Sequence, residues 1–192
     1  MRPASPYLAP GFYDDAIARG RHRDIVGGRW DETGRVQMRA LLAADMTPDD
    51  HLLDIGCGAL RLGHKAVPFL KPGHYWGTDA SLALMRHGRL HELPQPEALP
   101  EDHLVEDRDF AFPGIPDAVT LAIPNLRTTL FTVFLSDSAT STRQPDGVVT
   151  HPDRPPYHIS AAQVTATITA AGFTASRQPM LLPRGQVLWT AT

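Results

Sequence analysis

A chain of 192 residues is long enough to bury one substantial core and short for two, so a single domain is expected over 1–192, with an arm and helical region over about 1–48. Hydrophobic residues at 42% and charged residues at 20% are ordinary for a globular chain, and a net charge of −3 gives no general pull towards nucleic acid. One cysteine excludes an intrachain disulfide framework. The start, Met1-Arg2-Pro3-Ala4-Ser5-Pro6, lacks an apolar signal core, and no run approaches the ~18 apolar residues that cross a bilayer; a cytoplasmic protein with no membrane partner is expected.

In chain order, residues 1–12 read as a loose, proline-containing arm and Asp14 to Arg23 as a short polar helix, whose cluster Arg19-Gly20-Arg21-His22-Arg23 reads as a solvated face. Gly34 to Asp45, carrying Val36, Ala40, Leu41 and Ala44, is an amphipathic helix closed by Pro48. Strand one follows at His51 to Ile55. Arg61 to Leu70 is a crossover helix with Ala66, Val67 and Leu70 spaced for burial, ended by Lys71-Pro72-Gly73. The second strand ends at Asp79, Ser81 caps a helix carrying Leu82, Met85 and Leu90, and prolines 94, 96 and 100 mark a loop. His103 to Glu106 is strand three. Asp117 to Ile123 has the near-continuous apolar character of a central strand, and Thr128 to Leu135 is a second one. Ser160 caps a helix over Ala161 to Ala171, Gly172 stops it, and Thr174 to Leu182 with Gln186 to Thr190 reads as a closing hairpin.

The chemistry concentrates at Leu52-Leu53-Asp54-Ile55-Gly56-Cys57-Gly58-Ala59-Leu60-Arg61 and at His74-Tyr75-Trp76-Gly77-Thr78-Asp79-Ala80-Ser81. An apolar run that stops at an acid and alternate glycines, then a second run ending in an acid, is the pattern of a mononucleotide-binding half-sheet. Glycine has no Cβ, so it permits both the tight strand-to-helix turn and the close approach of a ligand to the main chain. A carboxylate at Asp79 can accept hydrogen bonds from both ribose hydroxyls. A dinucleotide fold wants a third glycine or alanine where Arg61 stands, which weakens a nicotinamide-dependent oxidoreductase reading without removing it. Cys57 reads as a small residue in a tight turn and not as a nucleophile.

At these residues the chain resembles the class I S-adenosylmethionine-dependent methyltransferases, whose first motif is an acid followed by x-G-x-G-x-G; Asp54, Gly56 and Gly58 match it, and Leu60 stands at the usual third glycine. The wider segment from Gly27-Gly28-Arg29-Trp30 to Ala80 looks like bacterial members with a leucine-arginine pair after the motif. The resemblance implies a Rossmann-like α/β sandwich with a C-terminal β-hairpin and S-adenosylmethionine as cofactor. It assigns the methionine moiety to Asp54, Gly56, Cys57 and Gly58, the ribose to Asp79 with Ala80, and the adenine to Asp109 with Phe110, although the run Glu106-Asp107-Arg108-Asp109 reads equally as a solvated turn. Methyl transfer to a small-molecule acceptor is the expected activity.

One junction departs from the family, in which strands four and five are parallel and joined by a helix. A parallel crossover needs about a dozen residues, and only Pro124-Asn125-Leu126-Arg127 separate Ile123 from Thr128. Either this pair is antiparallel, or one strand is misread, or the chain has lost the segment that completes the sheet and walls the pocket; the last reading is preferred. A non-catalytic cofactor-binding relative, with self-association through an exposed apolar face, is therefore the second hypothesis.

Acceptor chemistry is best sought in Val149 to His158, where His151 or His158 can take a proton and Tyr157 can contact the acceptor, although a proline-rich loop that simply ends in a structural histidine beside a helix N-cap is the preferred reading of these residues. His87-x-x-x-His91 has helical metal-ligand spacing but no third ligand in sequence, and no metal is assigned.

Overall fold

The computed structural model describes residues 7, 9–109, 111–115, 129–144, 147–153, 158–183 and 185–191. These fall into two compact units, residues 10–126 and residues 1–9 with 127–192. The strand expected over 117–123 and the junction 124–127, where a crossover helix is expected to be lacking, lie outside the described residues.

In the first unit the polar helix expected over 14–23 is two helices, α1 (Phe12–Ala18) and α2 (His22–Ile25). Gly20 at φ 65° separates them, with the Gly20 and Arg21 amides donating back to the Ile17 and Ala16 carbonyls. Helix α3 (Trp30–Ala43) begins four residues before the expected Gly34, and its first-turn Asp31 and Glu32 suit the positive end of the helix dipole. Its stop is Asp45 at φ 62°, with Met46 N–H bonded to the Leu41 carbonyl, so the left-handed turn and not Pro48 closes it.

Strands β1 (Leu52–Ile55), β2 (Tyr75–Asp79) and β3 (Leu104–Glu106) form a parallel sheet with β2 in the middle. Leu52 pairs with Tyr75 and Gly77 with Leu104. Between β1 and β2, regular helix is confined to α4 (Gly63–Ala66), because Pro68 has no N–H to return to the His64 carbonyl. Ala66, Val67 and Leu70 are buried as expected. Between β2 and β3 runs α5 (Leu82–Glu92), started by Ser81, whose Oγ accepts the Leu84 N–H at 3.2 Å. Leu84, Met85 and Gly88 form its buried face; Leu90 is 62% exposed because it lies about 200° round the helix from Gly88. The proline loop after α5 holds two short 3-10 turns, Pro96–Ala98 and Glu101–His103.

The second unit centres on β4 (Thr129–Leu135). It pairs antiparallel with β9 (Val187–Ala191), which pairs antiparallel with β8 (Ala175–Leu181), so the expected C-terminal hairpin is present. A register shift in β8 between Arg177 and Leu181 coincides with Pro179, which has no N–H for the ladder. Strands β5 (Thr142–Arg143) and β6 (Val149–Thr150) form a separate ribbon, and β7 (His158–Ile159) adds parallel to the far edge of β4. Helix α6 (Ala161–Ala170) opens on a capping box, Ser160 Oγ accepting the Gln163 N–H and Gln163 Oε1 accepting the Ser160 N–H. Its Val164 and Ile168 pack on Val187, Trp189 and Ala191 of β9. The result is a mixed α/β fold with a parallel sheet and a C-terminal antiparallel hairpin. Among the described residues, no helix is long and apolar enough to cross a membrane.

Candidate functional site

The turn that leaves β1 places Gly56, Gly58 and Leu60 at φ 73°, 56° and 65°. Leu60, which stands where the resembled motif has its third glycine, thus takes the left-handed backbone that glycine favours. For a residue with a Cβ this costs about 1–2 kcal/mol, offset by the complete burial of its side chain. The amides of Gly56 and Cys57 both donate to the Thr78 carbonyl, at 2.8 and 3.0 Å, which ties the turn to the end of β2.

Asp79 closes the same junction. Its Oδ2 accepts the Gly58 N–H at 3.0 Å and its Oδ1 the Ser81 N–H at 3.3 Å. Burial raises its carboxyl above the ordinary range, against the pull of those amides. The Ala80 amide adds a third, weaker pull; a carboxylate has about four lone-pair sites, so acceptor capacity remains. Ala80 follows, half-buried.

Asp54 lies at the end of β1, where Tyr75 Oη donates to its Oδ2 at 2.7 Å. Desolvation pushes this carboxyl up to about 6; the Tyr75 bond and the Arg61 charge oppose the shift, and Asp79 adds to it. Burial also raises the Tyr75 phenol far above its usual range, so it remains a neutral donor. Cys57 is buried, and desolvation followed by the Asp54 and Asp79 charges raises its thiol; it is a small residue in a turn and not a thiolate.

Contacts from distant sequence hold this turn. A Cβ on Gly88 of α5 would lie 2.6 Å from the Ala59 carbonyl carbon, so the helix lies directly on the loop backbone. A Cβ on Gly58 would lie 2.5 Å from Val26 Cγ1. Arg61 donates Nη1 to the Val26 carbonyl and Nε to Gln37 Oε1, at 3.4 Å for the latter. The guanidinium that stands in the third-glycine position of a dinucleotide pattern is therefore engaged within the protein. Gly56 differs: among the described residues other than its two chain neighbours, no atom lies within 4 Å of where its Cβ would be, so a ligand can lie against its backbone.

Beyond β3 the loop is organised by Asp107, whose carboxylate accepts the amides of Asp109, Ala111 and Phe112 at 3.3, 3.2 and 3.0 Å. The Asp107 N–H donates to the Asp79 carbonyl at 2.9 Å. Asp109 is exposed on this loop, and Phe110 lies outside the described residues. The turn reading of Glu106 to Asp109 thus holds, and what the sequence did not show is that Asp107 is the acid that organises it.

In the second unit, His158 is buried, with Nδ1 2.9 Å from Thr150 Oγ1 and Nε2 3.0 Å from the Ser138 carbonyl. A carbonyl only accepts, so Nε2 carries the proton; Thr150 Oγ1 in turn accepts from Gln144 Nε2 at 2.9 Å. Both ring nitrogens are thus committed to the fold. His151 has Nδ1 2.6 Å from Ser141 Oγ, and Tyr157 lies outside the described residues. An open cleft of about 670 Å³ is bounded by Ser136, Asp137, Ser138, Pro152, His158 and Gln163.

The His87 and His91 rings stand 4.3 Å apart by centroid, and His22 brings a third imidazole within 4.5 Å of His87. Among the described residues, no group of three or more histidine, cysteine or acidic side chains is arranged to hold a metal ion. His22 and Arg23, expected on a solvated face, instead converge on Glu92: His22 Nε2 is 2.6 Å from Oε1, and Arg23 donates to both oxygens at 2.8 and 2.7 Å.

The fold is that of the class I methyltransferases. Among solved structures, magnesium protoporphyrin IX methyltransferase from Synechocystis PCC 6803, with bound S-adenosylhomocysteine, superposes at a TM-score of 0.59 and 14% identity, covering 93% of this chain and 95% of its own. The glycopeptide N-methyltransferase MtfA gives 0.52 at 16% identity, covering 84% and 90%. The 1,6-didemethyltoxoflavin-N1-methyltransferase of Burkholderia thailandensis gives 0.51 at 18% identity, covering 97% and 91%. No family model matches the sequence, and no curated protein does.

Proposed function

We propose that the chain binds S-adenosylmethionine on the Asp54–Gly58 turn and Asp79, and transfers its methyl group to a small-molecule acceptor. What supports this reading is one relationship: the Asp79 carboxylate is bonded to the Gly58 amide beside a turn whose Gly56 face is open. Asp79 keeps acceptor capacity for the ribose hydroxyls, with Ala80 beside it. Asp54 is a carboxylate whose charge is costly where it sits, so a cationic ligand group there relieves the cost. Asp109 and Phe110 are the candidates for the adenine. The named solved neighbours are methyltransferases, two of them with S-adenosylhomocysteine bound.

The cofactor supplies an electrophilic methyl on a sulfonium. The protein must hold the acceptor about 3–3.5 Å from that carbon, in line, and exclude water. A proton leaving the acceptor needs a base, and His151 is the candidate: with its Nδ1–H donating to Ser141 Oγ, the Nε2 lone pair is left to take the proton. Tyr157 remains a candidate acceptor contact. The committed nitrogens of His158 favour a second reading, a cofactor-binding relative that performs no transfer. An oxidoreductase using NAD is disfavoured by the engagement of Arg61 with Val26. A cytoplasmic location without nucleic-acid partner, with self-association open, completes the proposal.

The test is a thermal melt of the full chain with excess S-adenosylhomocysteine or NAD, because a ligand that binds only the folded state raises the midpoint. A rise with S-adenosylhomocysteine that is lost in Asp79→Ala supports the reading. A cooperative melt that ignores S-adenosylhomocysteine sinks it, and a rise with NAD alone moves the chain to the oxidoreductases.

A further inference from the structure

We propose that Val26, in the turn between α2 and α3, is a positioning residue for the glycine loop, and that Glu92 latches that turn in place; this rests on reading Gly56 to Leu60 as the cofactor loop. The loop carries left-handed backbone at three alternate positions, one of them a leucine. Such backbone persists only where its surroundings over-determine it. On one side Asp79 holds the Gly58 amide. On the other, Val26 Cγ1 occupies the space a Gly58 side chain would need, and Gly58 is buried beneath it. Arg61, directly after Leu60, donates to the Val26 carbonyl, so the loop grips the same residue that presses on it.

Val26 would be a poor clamp on its own. It precedes Gly27 and Gly28, both at positive φ, and follows a helix of only four residues. A helix that short has too few hydrogen bonds to hold itself. Its anchor is Glu92, whose side chain is only 4% exposed and which takes the bidentate Arg23 fork and the His22 ring. Glu92 lies four residues after Gly88, so one face of α5 both carries the latch and rests on the loop at Ala59. Arg23 also sits 5.3 Å over the Trp30 ring, which joins the two sides of the turn. The Val26 turn, Glu92 and Gly88 together hold the loop in the one shape a ligand is to meet.

Hydrogen exchange on the full chain without ligand, followed across 56–61, tests this beside a calorimetric titration with S-adenosylhomocysteine. Val26→Ala and Glu92→Gln are the variants, and Arg86→Ala, an exposed α5 residue paired with Glu101, is the control. If loosening leaves the competent loop populated one time in ten, apparent affinity falls about tenfold. The expected result is exchange about tenfold faster at 56–61 with 52–55 unchanged, affinity weakened by a like factor, and a control like wild type. Unchanged exchange in both variants overturns the proposal, and so does tighter binding, which would make the turn a cover and not a support. If Val26→Ala loses its cooperative melt, Glu92→Gln carries the test alone. Failure of the wild-type chain to bind S-adenosylhomocysteine removes the cofactor reading, while the exchange data still decide whether Val26 holds the loop.

Discussion

The Asp79 carboxylate and the Gly58 amide, 3.0 Å apart, join the acid that ends β2 to the second glycine after β1. The same side chain that is proposed to receive a ribose also fixes the loop facing it. Asp79→Ala should therefore lose ligand-induced stabilisation and weaken the unliganded fold by about 1–3 kcal/mol, the cost of stranding a buried amide. Asp79→Asn, which keeps an acceptor oxygen for Gly58, should fold closer to wild type while still binding S-adenosylhomocysteine at least about tenfold more weakly, as expected when a charged acceptor becomes neutral. Denaturant melts and calorimetry on the pair separate the two roles.

Asp54 should make stability depend on pH in the opposite sense to a salt-bridged acid. Its folded value of about 6 stands above the ordinary 3.8, so between those pH values the folded chain binds more protons than the unfolded one. Stability from this group falls as pH rises through that window and levels above it. Asp54→Asn should therefore gain about 1–3 kcal/mol over wild type at pH 7.5 and little at pH 4. On the proposed reading it should bind cofactor more weakly. Paired melts across pH 4–8 check the sign.

At an ordinary helical site, replacing glycine with alanine stabilises by roughly 0.5–1 kcal/mol. Gly88→Ala should do the reverse, because the new methyl meets the Ala59 backbone, which cannot rotate away. A loss of about 1–3 kcal/mol in a urea melt is expected.

Leu60 offers a test of its left-handed backbone. Removing a fully buried leucine side chain costs about 2–5 kcal/mol, so Leu60→Ala should be strongly destabilised. Leu60→Gly removes still more side chain yet relieves about 1–2 kcal/mol of backbone strain. The glycine variant should be no less stable than the alanine one, an order that a residue at negative φ would invert.

The two histidines considered for proton transfer should separate by stability. His158→Ala breaks the bonds to Thr150 and to the Ser138 carbonyl and should cost about 1–3 kcal/mol. His151→Ala, at a half-buried site bonded to an exposed serine, should stay within about 0.5 kcal/mol. Loss of methyl transfer in His151→Ala at unchanged stability would support its role as the base.

Much of this protein was legible in its sequence because the signals are local. Strands β1 to β3, the Ser81 and Ser160 caps, the stop at Gly172 and the closing hairpin follow from apolar runs, capping residues and turn chemistry within a few positions of each other. So does the meeting of Asp54, Gly56, Gly58 and Asp79, since parallel β1 and β2 deliver their carboxyl ends to one edge. The details that decide how the loop is held come from far away along the chain. Arg23 and Glu92 are 69 residues apart, Arg61 and Val26 are 35 apart, and neither pairing leaves a periodicity to read. Leu60 shows the same division. Its side chain marked a departure from the glycine pattern, and only packing from all sides could let a leucine hold a glycine's backbone. His158 is the converse case: residue type allowed both a base and a buried structural imidazole, and the surrounding Thr150 and Ser138 committed its nitrogens to the fold. Local chemistry thus determined which residues line the loop, and tertiary contacts decided its shape, because strained backbone and buried charge persist only where distant groups are brought in to hold them.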